Sequence, residues 1–416
     1  MKYYEDTTNP KYQEMSGKAQ MAAVKLSEKY SFMMPEIMAM DSKVIDTFLQ
    51  DERIALYKVS IKDMLSKKEH SLTEKEEKLL AMAGQMSASP NEIFSKFNNA
   101  DAKFGEITDE EGNKVELTNG RYSVFMESND RRVRQDAFHA LYKEYGNYIN
   151  TLAATYYANV KQAIFFSQAR NYDSTLEMYL SGSFIPVSVY KNLIETVNNN
   201  LDKMHKYVSL RKRELGVDEL HFYDVYAPMV SDYKLKVTYD EAKEIALKAL
   251  APLGKEYTDK IQEGFNSGWV DVRENVGKRN GAFSWGAYGT HPYVFLNYSD
   301  TLNDVFTLVH EMGHAMHTFY SNENQPYVYA GYKIFVAEVA STCNEAILIN
   351  YLLKNCKDNT EKKYLINHYL EQFKGTLFRQ TMFAEFEMIT HSMAENGEVL
   401  NAENLCNVYK ELNKKY

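Results

Sequence analysis

Apolar residues recur at helical spacing along most of this chain, and the clearest case is residues 305–320, VFTLVHEMGHAMHTFY. At about 100° per residue, a helical wheel collects one apolar stripe on the back of this segment: Val305, Leu308, Val309, Met312, Ala315, Met316 and Phe319. Four polar side chains share the front: His310, Glu311, His314 and His317. The pattern predicts a helix that buries its back and presents imidazoles and a carboxylate on its front.

A second apolar segment, Ile334–Asn355, predicts another helix, and Glu338 interrupts its apolar run. The same wheel places Glu338, Thr342 and Glu345 on one stripe. Four residues lie behind that stripe as its apolar back: Val336, Ala340, Cys343 and Ile347. Two adjacent helices with polar stripes could therefore face each other.

Strand-like patterns occur at two places. Residues 101–118 read as a hairpin around Gly112, which predicts a boundary between an N-terminal helical domain, residues 1–110, and a second domain, residues 119–416. Residues 281–298 read as strand, with glycines spaced among aromatics. A peptide could add to this edge as an extra strand, which makes Gly286 and Tyr288 candidate substrate-binding residues, although an ordinary bulged hairpin also fits. The predicted fold is mainly α, with a small β-sheet beside the first polar helix.

Composition narrows the class of protein. The chain has 416 residues, 44% of them hydrophobic, which is enough for a sizeable core. A net charge of −9 argues against nucleic acid as a partner. Three scattered cysteines predict neither a disulfide framework nor a cysteine metal site, and a reducing, cytoplasmic location fits them. The sequence shows no run long enough to predict a membrane span.

The front of the first polar helix carries the motif H-E-x-x-H, formed by His310, Glu311 and His314. Residues four apart lie about 6 Å apart along the axis on one face, so two imidazoles can converge on one ion. Zinc binds neutral histidine nitrogen well, and Glu311 lies to the side, where its carboxylate can act as general base on a water. We therefore predict one Zn²⁺ per chain. Two structurally satisfied helical histidines are the alternative.

A zinc site of this kind needs a third protein ligand. The extended motif with a third histidine fails, because His317 stands where its glycine belongs and Tyr320 replaces its last histidine. His317 also lies about 10 Å from His310 along the axis, so a supporting or structural role is expected. Glu338 is the predicted third ligand. Glu345 would orient a ligand histidine, unless it is a solvated charge.

The segments HEMGHAMH and FVAEVASTCNEAIL, with residues 281–298 upstream and DTTNPKY near the start, resemble the M3 family of zinc oligopeptidases, specifically the oligoendopeptidase F branch. The resemblance implies a mostly helical, zincin-type peptidase with a deep groove or channel that admits short unstructured peptides. It implies the same roles for His310, His314 and Glu338 as ligands and Glu311 as base.

Family members also begin earlier and continue past LNKKY into a segment whose histidine and tyrosines stabilise the oxyanion, so we expect this chain to be truncated at both ends, with an incomplete catalytic domain. Losing an oxyanion donor costs about 100- to 1000-fold in rate. A fragment that binds zinc and peptides without cleaving them therefore stays open, as does a non-functional helical fragment. Since HEMGH with a later glutamate also resembles angiotensin-converting-type enzymes, a dipeptidyl carboxypeptidase is a further alternative.

Overall fold

The computed structural model describes residues 1–30, 32–230, 235–275, 277–279 and 281–416. The chain forms two compact units. Unit 1 comprises Met1–Lys68 and Lys234–Leu365, and unit 2 comprises Glu69–Tyr233 and Ile366–Tyr416. The domain boundary predicted at residues 110–119 falls inside unit 2 in this division, and it stays a prediction.

Helices make up most of the described chain, which confirms the mainly α fold class. In chain order the α-helices are α1 (Lys2–Glu5), α2 (Pro10–Tyr30), α3 (Met33–Ala39), α4 (Ser42–Gln50), α5 (Lys58–Leu65), α6 (Glu74–Ser87), α7 (Ser89–Lys96), α8 (Asn119–Met126), α9 (Arg131–Asn147), α10 (Ile149–Ala169), α11 (Thr175–Ser181), α12 (Val187–Asn198), α13 (Leu201–Glu214), α14 (Tyr239–Ala249), α15 (Lys255–Asn266), α16 (Leu302–Asn324), α17 (Ile334–Asn355), α18 (Asn359–Gln372), α19 (Arg379–Glu395) and α20 (Ala402–Lys415). Short 3₁₀ turns and the π-helical segments Phe97–Asp101 and Phe373–Phe378 connect some of them. Among the described residues, no helix has both the length and the apolar content that a membrane crossing requires.

Unit 2 contains the predicted hairpin, in which β1 (Glu106–Thr108) pairs antiparallel with β2 (Lys114–Glu116). Gly112 turns the chain with φ +87°, a left-handed conformation that glycine adopts without strain. The buried core beneath the hairpin includes Leu117, Val133 and Ala137. Asp224 is fully buried there and accepts hydrogen bonds from two arginines, Arg131 and Arg134.

Unit 1 contains the small sheet that the sequence places beside the first polar helix. It has the order β3–β5–β4, formed by β3 (Val270–Asp271), β4 (Phe283–Trp285) and β5 (Tyr293–Phe295). β5 pairs parallel with β3 and antiparallel with β4, so β4 lies at the edge of this described sheet. Helix α16 packs against β4 and β5. Residues 281–298 are therefore a hairpin, not one strand.

Candidate functional site

Helix α16 begins at a capping box and is held by its apolar back. Thr301 Oγ1 accepts from the Asp304 N–H at 3.2 Å, and the Asp304 carboxylate accepts from the Thr301 N–H at 2.9 Å, which satisfies two backbone donors of the first turn. The predicted back is at most 1% exposed except at half-buried Phe319: Val305, Leu308, Val309, Met312, Ala315 and Met316. Burial of this stripe fixes the rotation of the helix, so His310 and His314 point to α17.

Three donor atoms from α16 and α17 converge. His310 Nε2 and His314 Nε2 are 3.1 Å apart, and Glu338 Oε2 lies 3.3 Å from the first and 3.4 Å from the second. A tetrahedral ion with ligand bonds of about 2.0 Å separates its ligand atoms by about 3.3 Å. The spacing and the chemistry of this donor set, two imidazole nitrogens and a carboxylate, therefore fit Zn²⁺.

Hydrogen bonds to neighbouring residues fix the orientation of both histidine rings. Glu345 Oε1 accepts from His310 Nδ1, and His314 is hydrogen bonded to the backbone of Ala337. These contacts leave Nε2 of each ring directed at Glu338. Burial lowers the pKa of His310, but the hydrogen bond to Glu345 and the negative charges of Glu345, Glu311 and Glu338 together outweigh burial, so the pKa lies above its ordinary value. Burial lowers the pKa of His314, which favours the neutral ring that binds metal.

Glu311 is buried, with 6% of its surface exposed, although the wheel placed it on an open polar front. The edge strand β4 covers it, and the Ser284 backbone N–H donates to its carboxylate. Its Oε2 has no hydrogen-bond partner in the part of the chain that the structure describes. Burial raises the pKa of Glu311 to about 7. A buried carboxylate whose Oε2 has no hydrogen-bond partner can accept a proton, which suits a general base.

Comparison with known proteins places this chain in a family. The model of peptidase family M3 matches residues 124–416, and the model of oligopeptidase F matches residues 36–104. The chain belongs to peptidase family M3. Family M3 enzymes are metallopeptidases, and the His310, His314 and Glu338 group is where this chain could hold a metal.

Relatives within family M3 cover the whole of this chain. It is 48% identical over its full length to the oligopeptidase PepF of Bacillus subtilis, and it spans 62% of that protein. It is 44% identical to an oligoendopeptidase F homolog of Lactococcus lactis, of which it spans 69%. The crystal structure of oligoendopeptidase-F from Enterococcus faecium superposes with a TM-score of 0.75 at 38% identity, covering 100% of this chain and 69% of that one.

The close approach of α16 and α17 in this M3 chain depends on residues that the sequence analysis missed. A Cβ on Gly313 would lie 2.7 Å from Ser341 Cα and 2.9 Å from the Ala340 carbonyl oxygen. Buried Asn344 donates from Nδ2 to the Val309 carbonyl at 3.2 Å. A glycine and an asparagine within strongly apolar helices, each costly there, were the available signals.

The predicted back of α17 is wrong. Val336 and Cys343 are exposed, and Ala340 and Ile347 are half-buried. Four of the five buried residues instead lie beside the Glu338 stripe, namely Ala337, Ser341, Asn344 and Leu348, and the fifth, Ile349, lies on the stripe itself. The reason is that α16 packs against the flank of α17, not against the side opposite Glu338.

The remaining candidates lie around the end of α16. His317 stacks on Tyr332 with centroids 3.7 Å apart and is not among the three donors. Gly286 packs on Thr318, whose Cγ2 would be 2.7 Å from an added Cβ, so close packing alone explains this glycine. Tyr288 is 45% exposed and donates to the Gln325 carbonyl at 3.3 Å. Roles for these three residues in support or substrate binding stay predictions.

Proposed function

We propose that this chain is a zinc metalloendopeptidase that hydrolyses short oligopeptides. His310, His314 and Glu338 would hold one Zn²⁺, and Glu311 would act as general base. The observation that supports this most is the set of three donor atoms 3.1 to 3.4 Å apart, beside the buried carboxylate of Glu311, whose Oε2 has no hydrogen-bond partner among the described residues. Membership of family M3 gives the same reaction class.

Zinc, when bound, would supply Lewis acidity that activates water and polarises the scissile carbonyl. The chain's own residues would handle the proton. Glu311 Oε2 accepts it from the attacking water and delivers it to the leaving amine nitrogen, while the Ser284 N–H holds the carboxylate in place. Glu345 and the backbone of Ala337 keep the imidazoles aligned.

The proposed substrates are short unstructured peptides, which an edge strand can bind through main-chain hydrogen bonds regardless of sequence. β4 supplies such an edge beside Glu311. We expect neither nucleic acid nor membrane as partner, because a net charge of −9 repels nucleic acid and no apolar run in this sequence is long enough to predict a membrane span. The free thiols of Cys343 and Cys406 are exposed, which supports a reducing, cytoplasmic location.

The test is hydrolysis of a mixed set of internally quenched oligopeptides by the zinc-loaded chain. We expect internal cleavage that a chelator abolishes and added zinc restores. His314→Ala should lose both zinc and cleavage, because it removes one ligand of three. Cleavage that survives zinc removal would contradict the proposal, as would stoichiometric zinc without any cleavage. Release of C-terminal dipeptides alone would contradict the endopeptidase assignment.

A further inference from the structure

An aromatic cleft lies against the hairpin that contacts Glu311. Its volume is about 730 Å³, and six aromatic side chains of unit 1 line it: Tyr3, Tyr4, Tyr12, Trp269, Trp285 and Tyr293. Trp285 keeps 54% of its surface exposed, although a tryptophan gains much free energy by burial. Apart from buried Trp269, these rings are exposed or half-buried, and accessible aromatic rings around a concave surface are typical of a ligand site.

The hairpin connects this cleft to the candidate active site. Ser284, whose N–H donates to Glu311, directly precedes Trp285, so the two Cα atoms are about 3.8 Å apart. Side chains alternate along a strand, which puts Trp285 on the opposite face of the sheet from Ser284. Its cross-strand partner Tyr293 shares that face. The cleft therefore begins one residue away from the strand position that holds the proposed base.

We propose that this cleft is a specificity subsite that takes a large apolar or aromatic side chain of the peptide substrate. The inference rests on the proposed peptidase function. A peptide added along the edge of β4 places one side chain opposite Trp285, on the same face and about 5 Å away. Trp285 is one strand residue, about 3.3 Å, from Ser284, so that side chain belongs to a peptide residue close to the scissile bond.

The chemistry of the lining selects an apolar group. The charged side chains that line the cleft are Lys2, Glu5 and Asp271, and each has a partner: Lys278 Nζ lies 2.8 Å from Asp271 Oδ1, and Lys2 forms an ion pair with Glu5. The cleft thus offers aromatic faces with little net charge. Phenylalanine, tryptophan or leucine would bury apolar area there, whereas aspartate would lose its hydration and find no unpaired lysine or arginine side chain among the lining residues.

The proposed subsite can be tested by measuring peptide binding in a variant that does not cleave the peptide. Peptide affinities are measured for the Glu311→Gln variant with pairs of peptides. The two peptides of a pair are identical except that one has phenylalanine and the other alanine at a single position, and that position is moved along the sequence from pair to pair. At one position we expect the phenylalanine peptide to bind about tenfold more tightly or better. Adding Trp285→Ala should bring this ratio close to one, and Trp285→Phe should retain most of it. Equal affinities at every position, or a ratio that Trp285→Ala leaves unchanged, would overturn the subsite.

The matched control is Tyr57→Ala, which removes another exposed aromatic ring of unit 1 that does not line the cleft. Added to Glu311→Gln, it should leave the ratio of affinities for the phenylalanine and alanine peptides unchanged. If Trp285→Ala loses its zinc or its helical circular dichroism, Tyr293→Ala takes its place in the same comparison. Because binding is measured on a variant without its base, failure of the zinc-loaded chain to cleave peptides would contradict the proposed function and leave the subsite result readable.

Discussion

Gly313→Ala should separate the two helices that carry the metal ligands. The added Cβ would lie 2.7 Å from Ser341 Cα, whereas carbon atoms pack at about 3.5 Å or more. The backbones would have to move apart by roughly 0.8 Å. Overpacking of this kind costs about 1–3 kcal/mol, offset by roughly 1 kcal/mol because alanine favours a helix over glycine. The net loss of unfolding free energy should be at most about 2 kcal/mol.

The larger effect should be on zinc. His310 and His314 come from α16 and Glu338 from α17, so the movement displaces one ligand from the other two. Functional sites tolerate about 0.5 Å of misplacement. We expect zinc affinity to fall at least about tenfold, measured by competition with a chromophoric chelator, alongside unfolding in urea.

Gly17→Ala is the matched control, because it makes the same change in α2 of unit 1. No described atom lies within 4 Å of its added Cβ. It should gain up to about 1 kcal/mol of stability and bind zinc as the parent does. If Gly313→Ala matches it in both stability and zinc affinity, the packing argument is wrong.

Three further predictions follow from buried polar contacts. Glu345→Ala should weaken zinc binding about 10- to 100-fold in the same chelator competition, because His310 loses its orienting carboxylate; unchanged affinity would make Glu345 a simple surface charge. Asp224→Ala should lower the unfolding free energy measured in urea by about 3–5 kcal/mol, because it leaves buried Arg134 without its carboxylate partner. A loss below about 1 kcal/mol would refute this prediction. Burial lowers the pKa of Lys374 from 10.5 to about 8. Between pH 8 and 10.5 the unfolded chain holds the proton on Lys374 and the folded chain does not. The unfolding free energy of the parent, relative to that of Lys374→Met, should therefore rise with pH by at most about 3 kcal/mol. A difference in unfolding free energy that does not change with pH would contradict this prediction.

The sequence was most informative where one helix face decides the structure. The apolar back of α16 and the convergence of His310, His314 and Glu338 were both predicted from periodicity, because these residues lie on faces that the helix itself defines. The contact between Glu345 and His310 agrees with the stripe shared by Glu338 and Glu345. The roles of these residues in catalysis stay predictions until they are tested.

Contacts made by other elements could not be predicted in this way. A helical wheel places Glu311 on the polar face of α16, but it cannot show that β4 covers this residue. For α17 it predicts an apolar face, but it cannot show which side of the helix α16 contacts. Such choices depend on packing between segments far apart in sequence. The predicted groove for substrate likewise depends on tertiary arrangement, and it stays a prediction.

The most direct test of the account is to measure zinc content and peptide turnover together in Glu311→Gln. Because Glu311 is not among the three donors, the variant should keep one zinc per chain. Because it would lose the group that moves the proton, turnover should fall about 100-fold or more. Normal turnover with zinc bound would contradict the role of Glu311, and loss of zinc would contradict the assignment of the three ligands.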